Sequence, residues 1–420
     1  MLRTIGVAAF FYATALGAQA QEYDVVFAAL DEAVRSNYYD PHFGGRDWAE
    51  IRARHQASAE SARSDAEFLR AGQEMLNELG VSHVSLHPPV ASPRPSMGIG
   101  ARIAVIDGAS TVIDIDPASG ARGAGLRVGD RILNPDAVFG PPSEPARLEV
   151  ERCDGTRAIV PAPRESAYWP PRQKTISWSA LRRGDGRSVG YLKADRFEDD
   201  GAELIDAAMA ALASTDGLII DLRDNSGGNA SALRLLSYFG RPGPGMALLS
   251  RQFLATLDGP VQAEDLAEVH RAERPYTTDA VFQAVSQGQG ATLLMIEEIG
   301  EARYRNPVVV LIGPDTGSAA EGFAWGVRRA SEAKLIGRPT AGALLSSDRF
   351  DLPGGWSVTL PVHGIWAPDG EDYGDRSVPP HIETVLTRSA VCAGEDPDLA
   401  TAVSTLEAAW SSSTTAADGA

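Results

Sequence analysis

The run Val308-Val-Val-Leu-Ile312 constrains this chain more than any other stretch. It is fully apolar, the pattern of a parallel strand covered on both faces. Gly313, Pro314 and Asp315 stop it, and a helical pattern follows from Glu321 to Ala330. Gly217-Leu-Ile-Ile-Asp-Leu-Arg223 repeats the arrangement, ending in Asp224-Asn-Ser-Gly-Gly228 before a helix over 229–239. Strand–turn–helix units of this kind predict an α/β fold with a mainly parallel sheet. Ser318 sits on the first of these turns, within Gly317-Ser-Ala-Ala320. Such a turn offers a serine exposure, backbone N–H donors and the positive end of a helix dipole. A serine before a helix is also commonly no more than an N-cap.

The chain around this unit has 420 residues, enough for two or three domains. Its net charge of -18 argues against nucleic acid or an anionic membrane surface as the main partner. Arg3, an apolar run from Ile5 to Leu16 and Gly17-Ala-Gln-Ala20 read as a signal peptide over 1–20. The mature protein is therefore expected to be soluble and periplasmic or secreted. Cys153 and Cys392 are the only cysteines. An oxidising compartment would allow them to pair, and the sequence does not decide it. Neither cysteine has metal-like spacing and no zinc-helix His/Glu pair occurs, so no metal or organic cofactor is expected.

Residues 21–87 read as three helices, a small bundle or cap, with Asp65 a candidate N-cap; a short β-like segment Val81-Ser-His-Val-Ser-Leu86 closes them. After a Pro-rich linker, 97–163 reads as an all-β module. The larger α/β domain spans 177–410, with 241–305 read as an insertion and possible lid. The tail 411–420 is small and polar, the composition of disorder.

Taken in order, these segments resemble the S41 serine peptidases, the carboxyl-terminal-processing and tricorn-like family. Asn37-Tyr-Tyr-Asp-Pro41 with Asp47-Trp48 is similar to the family's helical N-terminal segment. Gly123-Ala-Gly-Leu-Arg-Val-Gly-Asp130 is similar to the helix and turn of a PDZ domain. Asp221-Leu-Arg-Asp-Asn-Ser-Gly-Gly228 and Gly317-Ser-Ala-Ala-Glu321 resemble the family's strand-end and nucleophile motifs. The resemblance implies a ClpP/crotonase-like catalytic domain and a peptide or protein substrate. Ala343 stands where the processing branch carries its lysine. The tricorn-like branch uses a serine-preceded histidine and a late glutamate, matched by Ser82-His83 and by Glu371 ahead of Val378-Pro379. The implied catalytic set is Ser318, His83, Glu371 and Ser82.

This set has coherent chemistry. His83 would take the proton of the Ser318 hydroxyl and return it to the leaving amine. Ser82 or Glu371 would orient the imidazole. The N–H of Ala319, with that of Gly227 or Gly228, would hold the oxyanion. Each residue also has a plainer reading. His87, His363 and His381 are rival bases, Glu371 lies in an acidic loop with Asp369, Asp372 and Asp375, and Asp221 with Arg223 reads as an ion pair. Pro and Gly in Asn134–Pro142 argue against the second helix of a PDZ domain, which puts peptide capture by that module in question. The activity expected is that of a serine endopeptidase; a binding protein on the same scaffold and a small-molecule esterase or amidase are the alternatives.

Overall fold

The structure is a computed structural model that describes residues 23–89, 98–141, 143–164 and 175–417. The expected signal peptide lies outside the described residues. The chain divides into two compact units: 1–92 with 176–335 and 339–379, and 93–175 with 336–338 and 380–420.

The first unit holds two sheets. In one, Ile176–Arg182 pairs antiparallel with Ser188–Ala194, which is parallel to Gly217–Asp221, itself parallel to Val308–Ile312. All five residues of Gly217–Asp221 and of Val308–Ile312 are buried. Each fully covered Val, Leu or Ile side chain stabilises by about 1.5–3 kcal/mol, which accounts for the unbroken apolar runs. Helices Gly201–Leu212, Ala232–Ser237 and Ala319–Ala330 contribute Ile205, Leu236 and Phe323 to the same core.

The second sheet departs from the expected parallel pattern. Ser85–His87, Ser357–Trp366, Gly243–Ser250 and Ala291–Ile296 follow one another antiparallel, and His270–Ala272 adds a parallel edge. Two of its inner strands come from 241–305. That stretch is therefore not an insertion but part of the core, with Met246, Leu248 and Leu294 all buried in it. The flanking Gly and Pro of Gly243-Pro-Gly245 mask the strand in the sequence. The longest helix of this segment, Thr278–Gln287, is capped by the Thr277 hydroxyl.

The three N-terminal helices, at 23–37, Trp48–Glu60 and Asp65–Asn77, do not form a separate bundle. Their apolar faces share one core with Val358 and Leu360 of the second sheet and with Trp356 just before that strand. Tyr23 stacks on Phe68 with ring centroids 4.8 Å apart. The cap of the third helix is Ser64 rather than Asp65, since the Ser64 hydroxyl accepts from the Glu67 N–H. This packing fixes Ser85–His87, and with it the preceding Ser82-His83, against the catalytic core.

In the second unit, Ala101–Ile106, Ala109–Ile115, Arg131–Ile132, Ala146–Glu151 and Arg157–Ala162 form an antiparallel sheet in that order. Where a PDZ domain would carry its second helix there is one 3-10 turn, Pro135–Val138. The C-terminal segment belongs to this unit and not to the larger domain: Cys153 and Cys392 form a disulfide with Cα atoms 5.8 Å apart. Beside it, the Arg388 guanidinium donates to the Glu151 carboxylate at 2.8 Å and to the carbonyls of Glu151, Arg152 and Gly129. The last helix runs Pro397–Ala417, so part of the expected disordered tail is helical. Asp398 inside it takes a bidentate pair from Arg338 at 2.8 and 2.9 Å.

The disulfide closes a sequence separation of 239 residues. Reduction should therefore destabilise the protein by roughly 2–5 kcal/mol. Urea denaturation with and without reductant checks this, and the Cys153→Ser, Cys392→Ser double variant should show no response to reductant.

Candidate active site

Ser318 ends the turn after Val308–Ile312 and precedes helix Ala319–Ala330. Its backbone is held at φ 52, ψ -122, a conformation that non-glycine residues rarely adopt. Strain of this kind costs about 1–3 kcal/mol and persists only where surrounding contacts enforce it. Those contacts converge on Glu321, which is wholly buried. Its carboxylate accepts from the N–H of Ser318 at 3.0 Å, Gly342 at 2.6 Å and Ala343 at 2.7 Å, and from the Thr340 hydroxyl at 2.6 Å. Burial pushes the Glu321 pKa up, and these donors oppose it. The Ala343 carbonyl in turn accepts from the Ser318 N–H at 3.1 Å. The position where the processing branch would carry lysine is thus directly against the Ser318 turn, and it holds an alanine.

The strand end at 221–228 closes the other side. Asp221 takes a bidentate pair from Arg223 and a hydrogen bond from the Tyr191 hydroxyl at 2.6 Å. Burial would raise its pKa, but Arg223 and Tyr191 hold it below the ordinary value. Asp221 and Arg223 are therefore a structural pair. Gly227 has φ +114, and a Cβ there would lie 2.5 Å from the Ser318 Cβ. At Gly228, φ +131, a Cβ would overlap the Phe197 carbonyl oxygen. Only glycine lets this backbone pass so close to the serine. The Gly227 N–H is already donated to Asn225 Oδ1 at 2.8 Å. That leaves the N–H groups of Gly228 and Ala319, both lining one pocket with Ser318, as the donors able to meet an oxyanion.

His83 lines the same pocket. It too has positive φ, 60°. Its Nδ1 lies 2.9 Å from the Ser82 hydroxyl, so the residue that touches the imidazole directly is Ser82. Burial lowers the His83 pKa, and the nearby Asp375 charge opposes this. A neutral imidazole with Nδ1 engaged by Ser82 is the form a general base requires. The rival histidines are occupied elsewhere. His87 contacts the Thr359 hydroxyl at 2.9 Å, His363 is buried against Ser346 at 3.1 Å, and His381 belongs to the other compact unit.

Glu371 is not brought to this group. Its carboxylate accepts from Arg329 and from Arg376, each at 2.9 Å. A turn closed by the Ala367 N–H on the Glu371 carbonyl at 2.7 Å sets that direction. The acid beside Ser82-His83 is Asp375, whose Oδ2 accepts the Ser82 backbone N–H at 3.1 Å. Sequence reasoning placed Asp375 among solvated loop charges. Its position three residues before Val378 carries no local mark of the role, because the contact bridges nearly the whole of the first unit's sequence.

Two family models match the sequence: Peptidase family S41 over residues 188–384 and Tricorn protease C1 domain over residues 19–77. Tricorn protease homolog 1 of Streptomyces coelicolor is 24% identical over 428 residues, covering 91% of this chain and 35% of that protein. A putative tricorn protease homolog 2 of the same organism is 28% identical over 240 residues, and this chain spans 20% of its length. The carboxyl-terminal-processing protease of a Synechocystis species is 24% identical over 376 residues, 83% of this chain and 77% of that one. Among solved structures, mature CPAF complexed with lactacystin superposes with a TM-score of 0.63 at 18% identity, over 89% of this chain and 95% of that chain. The crystal structure of the tricorn protease gives 0.51 at 16% identity, over 92% and 36%. At these identities the solved structures show a shared fold.

Replacing Glu321 by Ala leaves the N–H groups of Gly342 and Ala343 and the Thr340 hydroxyl without their acceptor, and the Ser318 N–H with the Ala343 carbonyl alone. Stability should fall by at least ~3 kcal/mol. Urea denaturation measures the loss, and wild-type stability in Glu321→Ala would mean that the carboxylate does not organise the turn.

Proposed function

We propose that the chain is an S41-type peptidase, in keeping with the match of residues 188–384 to that family, and that it is an exported serine endopeptidase working through an acyl-enzyme. One observation carries the reading: the strained Ser318 and the half-buried His83 line a single pocket together with two glycine- and helix-end N–H donors. Ser318 attacks the scissile carbonyl while His83 Nε2 takes its proton. His83 Nδ1–H donates to the Ser82 hydroxyl, which fixes the tautomer. Asp375 holds the Ser82 backbone and places a negative charge near the imidazolium that forms. The Ala319 and Gly228 N–H groups stabilise the tetrahedral oxyanion. His83 then protonates the leaving amine, and water repeats the sequence to release the acid. Glu371 has no part in these steps; Ser82 and Asp375 supply the support first expected of it.

Export is supported by the signal-like segment 1–20 and by the Cys153–Cys392 disulfide, which suits an oxidising compartment. No helix among the described residues is long and apolar enough to cross a membrane. A polypeptide is the proposed substrate, in keeping with the family. The proposed chemistry uses no metal, so chelators should leave the rate unchanged.

Ser318→Ala should abolish fluorophosphonate labelling and lower peptide hydrolysis at least ~10³-fold. Undiminished hydrolysis in that variant refutes the assignment. The pH dependence has a definite sign. Because burial depresses the His83 pKa, its neutral form persists below pH 6.5, and the acid limb of kcat/KM should have its midpoint below that value. The Asp375 charge raises the His83 pKa, so Asp375→Asn should move the limb further down in pH. The same variant should lower kcat by roughly 10- to 100-fold, since the imidazolium loses its counter-charge. A limb that moves up, or does not move, contradicts the role given to Asp375.

A further inference from the structure

The pocket beside Ser318 has a volume of about 340 Å³. Most of its wall is built by elements far from the nucleophile motif. Met246, Leu248 and Ile365 come from the second sheet, Val281 and Phe282 from helix Thr278–Gln287, and Leu233 from helix Ala232–Ser237. The nucleophile helix opens onto this space through Gly322, one turn beyond Ser318. A Cβ at Gly322 would lie 3.0 Å from Met246 Cε and 3.6 Å from Leu344 Cδ1, so the glycine keeps the entrance clear.

Among the described residues on the wall, Arg196 alone carries a full charge, and its side chain is 54% exposed. The polar pair at the wall is satisfied internally: Ser346 Oγ lies 3.1 Å from His363 Nδ1, and His363 packs on Phe282 with ring centroids 5.3 Å apart. Burial holds the His363 pKa down to about 4, so the ring is uncharged at neutral pH. Away from Arg196 the wall offers no counter-charge, and its apolar side chains outnumber hydroxyls such as those of Thr278 and Ser347. A charged side chain entering it would lose its hydration without replacement. An engineered cavity of about 150 Å³ already holds benzene, so this space has room for any large natural side chain.

The two candidate oxyanion donors, Gly228 and Ala319, border the same pocket. A carbonyl oxygen held there leaves the side chain of its own residue within reach of the apolar wall. We infer that this pocket takes the side chain of the residue whose carbonyl Ser318 attacks, that it selects large apolar residues, and that Met246, Phe282 and Gly322 set the size it accepts. The inference rests on Ser318 being the nucleophile, and it names the substrate class: polypeptides cut after Leu, Met or Phe in preference to Gly, Ala, Asp or Lys.

The test separates binding from chemistry. Ser318→Ala protein is titrated by calorimetry with pentapeptides of one shared sequence that end in Leu, Phe, Trp, Ala, Asp or Lys, mimics of the acyl-side product. Leu- and Phe-ending peptides should bind at least ~10-fold tighter than the Ala-ending one, and at least ~100-fold tighter than those ending in Asp or Lys. Adding Gly322→Val, which fills the space beside Met246, should invert the order in favour of Ala. Adding Phe282→Ala should favour Trp over Leu, and it keeps the test decisive if the valine variant does not fold. Affinities within twofold of one another, or a preference for Asp or Lys, overturn the inference. An unreactive wild-type protein that still ranks the peptides in this order refutes the peptidase reading and leaves the pocket assignment standing. A wild-type protein that cleaves peptides without regard to this residue does the reverse.

Discussion

One buried carboxylate holds the centre of this molecule in place. Glu321 receives three backbone N–H groups and a hydroxyl, from its own helix end and from the loop 340–343. A desolvated carboxylate is tolerable only with such a full set of donors. Its presence forces Ser318 and Ala343 together and sustains the positive φ at the serine. The Thr340 hydroxyl that donates to Glu321 also accepts the Val378 N–H at 2.7 Å, which binds the loop around Val378 to the same point. Asp375 lies three residues before that anchor. The placement of the acid near His83 is thus tied, through Thr340, to the carboxylate that shapes the nucleophile turn.

The second constraint is backbone proximity. Gly227 and Gly228 run so close to Ser318 and Phe197 that side chains are excluded. This closeness removes one N–H from the site, since Gly227 donates to Asn225, while Gly228 lines the pocket. The strained residues of the site, Ser318 and His83, sit on separate segments, each enforced by its own surroundings. For Ser318 these are the Glu321 network; for His83 they are the strand Ser85–His87, paired with Ser357–Thr359, and the N-terminal helices packed on it.

The second sheet gives the site its shape. Strands Gly243–Ser250 and Ser357–Trp366 pair with each other and present Met246, Leu248 and Ile365 to the space behind the nucleophile helix. That wall is built mostly of apolar side chains, so an apolar guest there displaces few polar contacts. The second unit is organised by different means: a disulfide and the Arg388 clamp fasten the C-terminal segment to a small antiparallel sheet whose core cluster, among the described residues, is aliphatic.

The sequence alone determined the strand–turn–helix units, the position of Ser318 and the two glycines, and the Ser82-His83 pair, because each is encoded within a few adjacent residues by apolar runs, turn residues or motif spacing. It also excluded a lysine at Ala343. Tertiary structure decided the rest. Glu371 and Asp375 are equally acidic and four residues apart, and only the fold directs one to Arg329 and Arg376 and the other to Ser82. Residues 241–305 lack a clean local pattern because Gly243–Ser250 is placed by Ser357–Trp366, more than a hundred residues away, and by Ala291–Ile296, not by its own periodicity. The pairing of Cys153 with Cys392 was open for the same reason, since two thiols carry no record of the distance between them once the chain has folded.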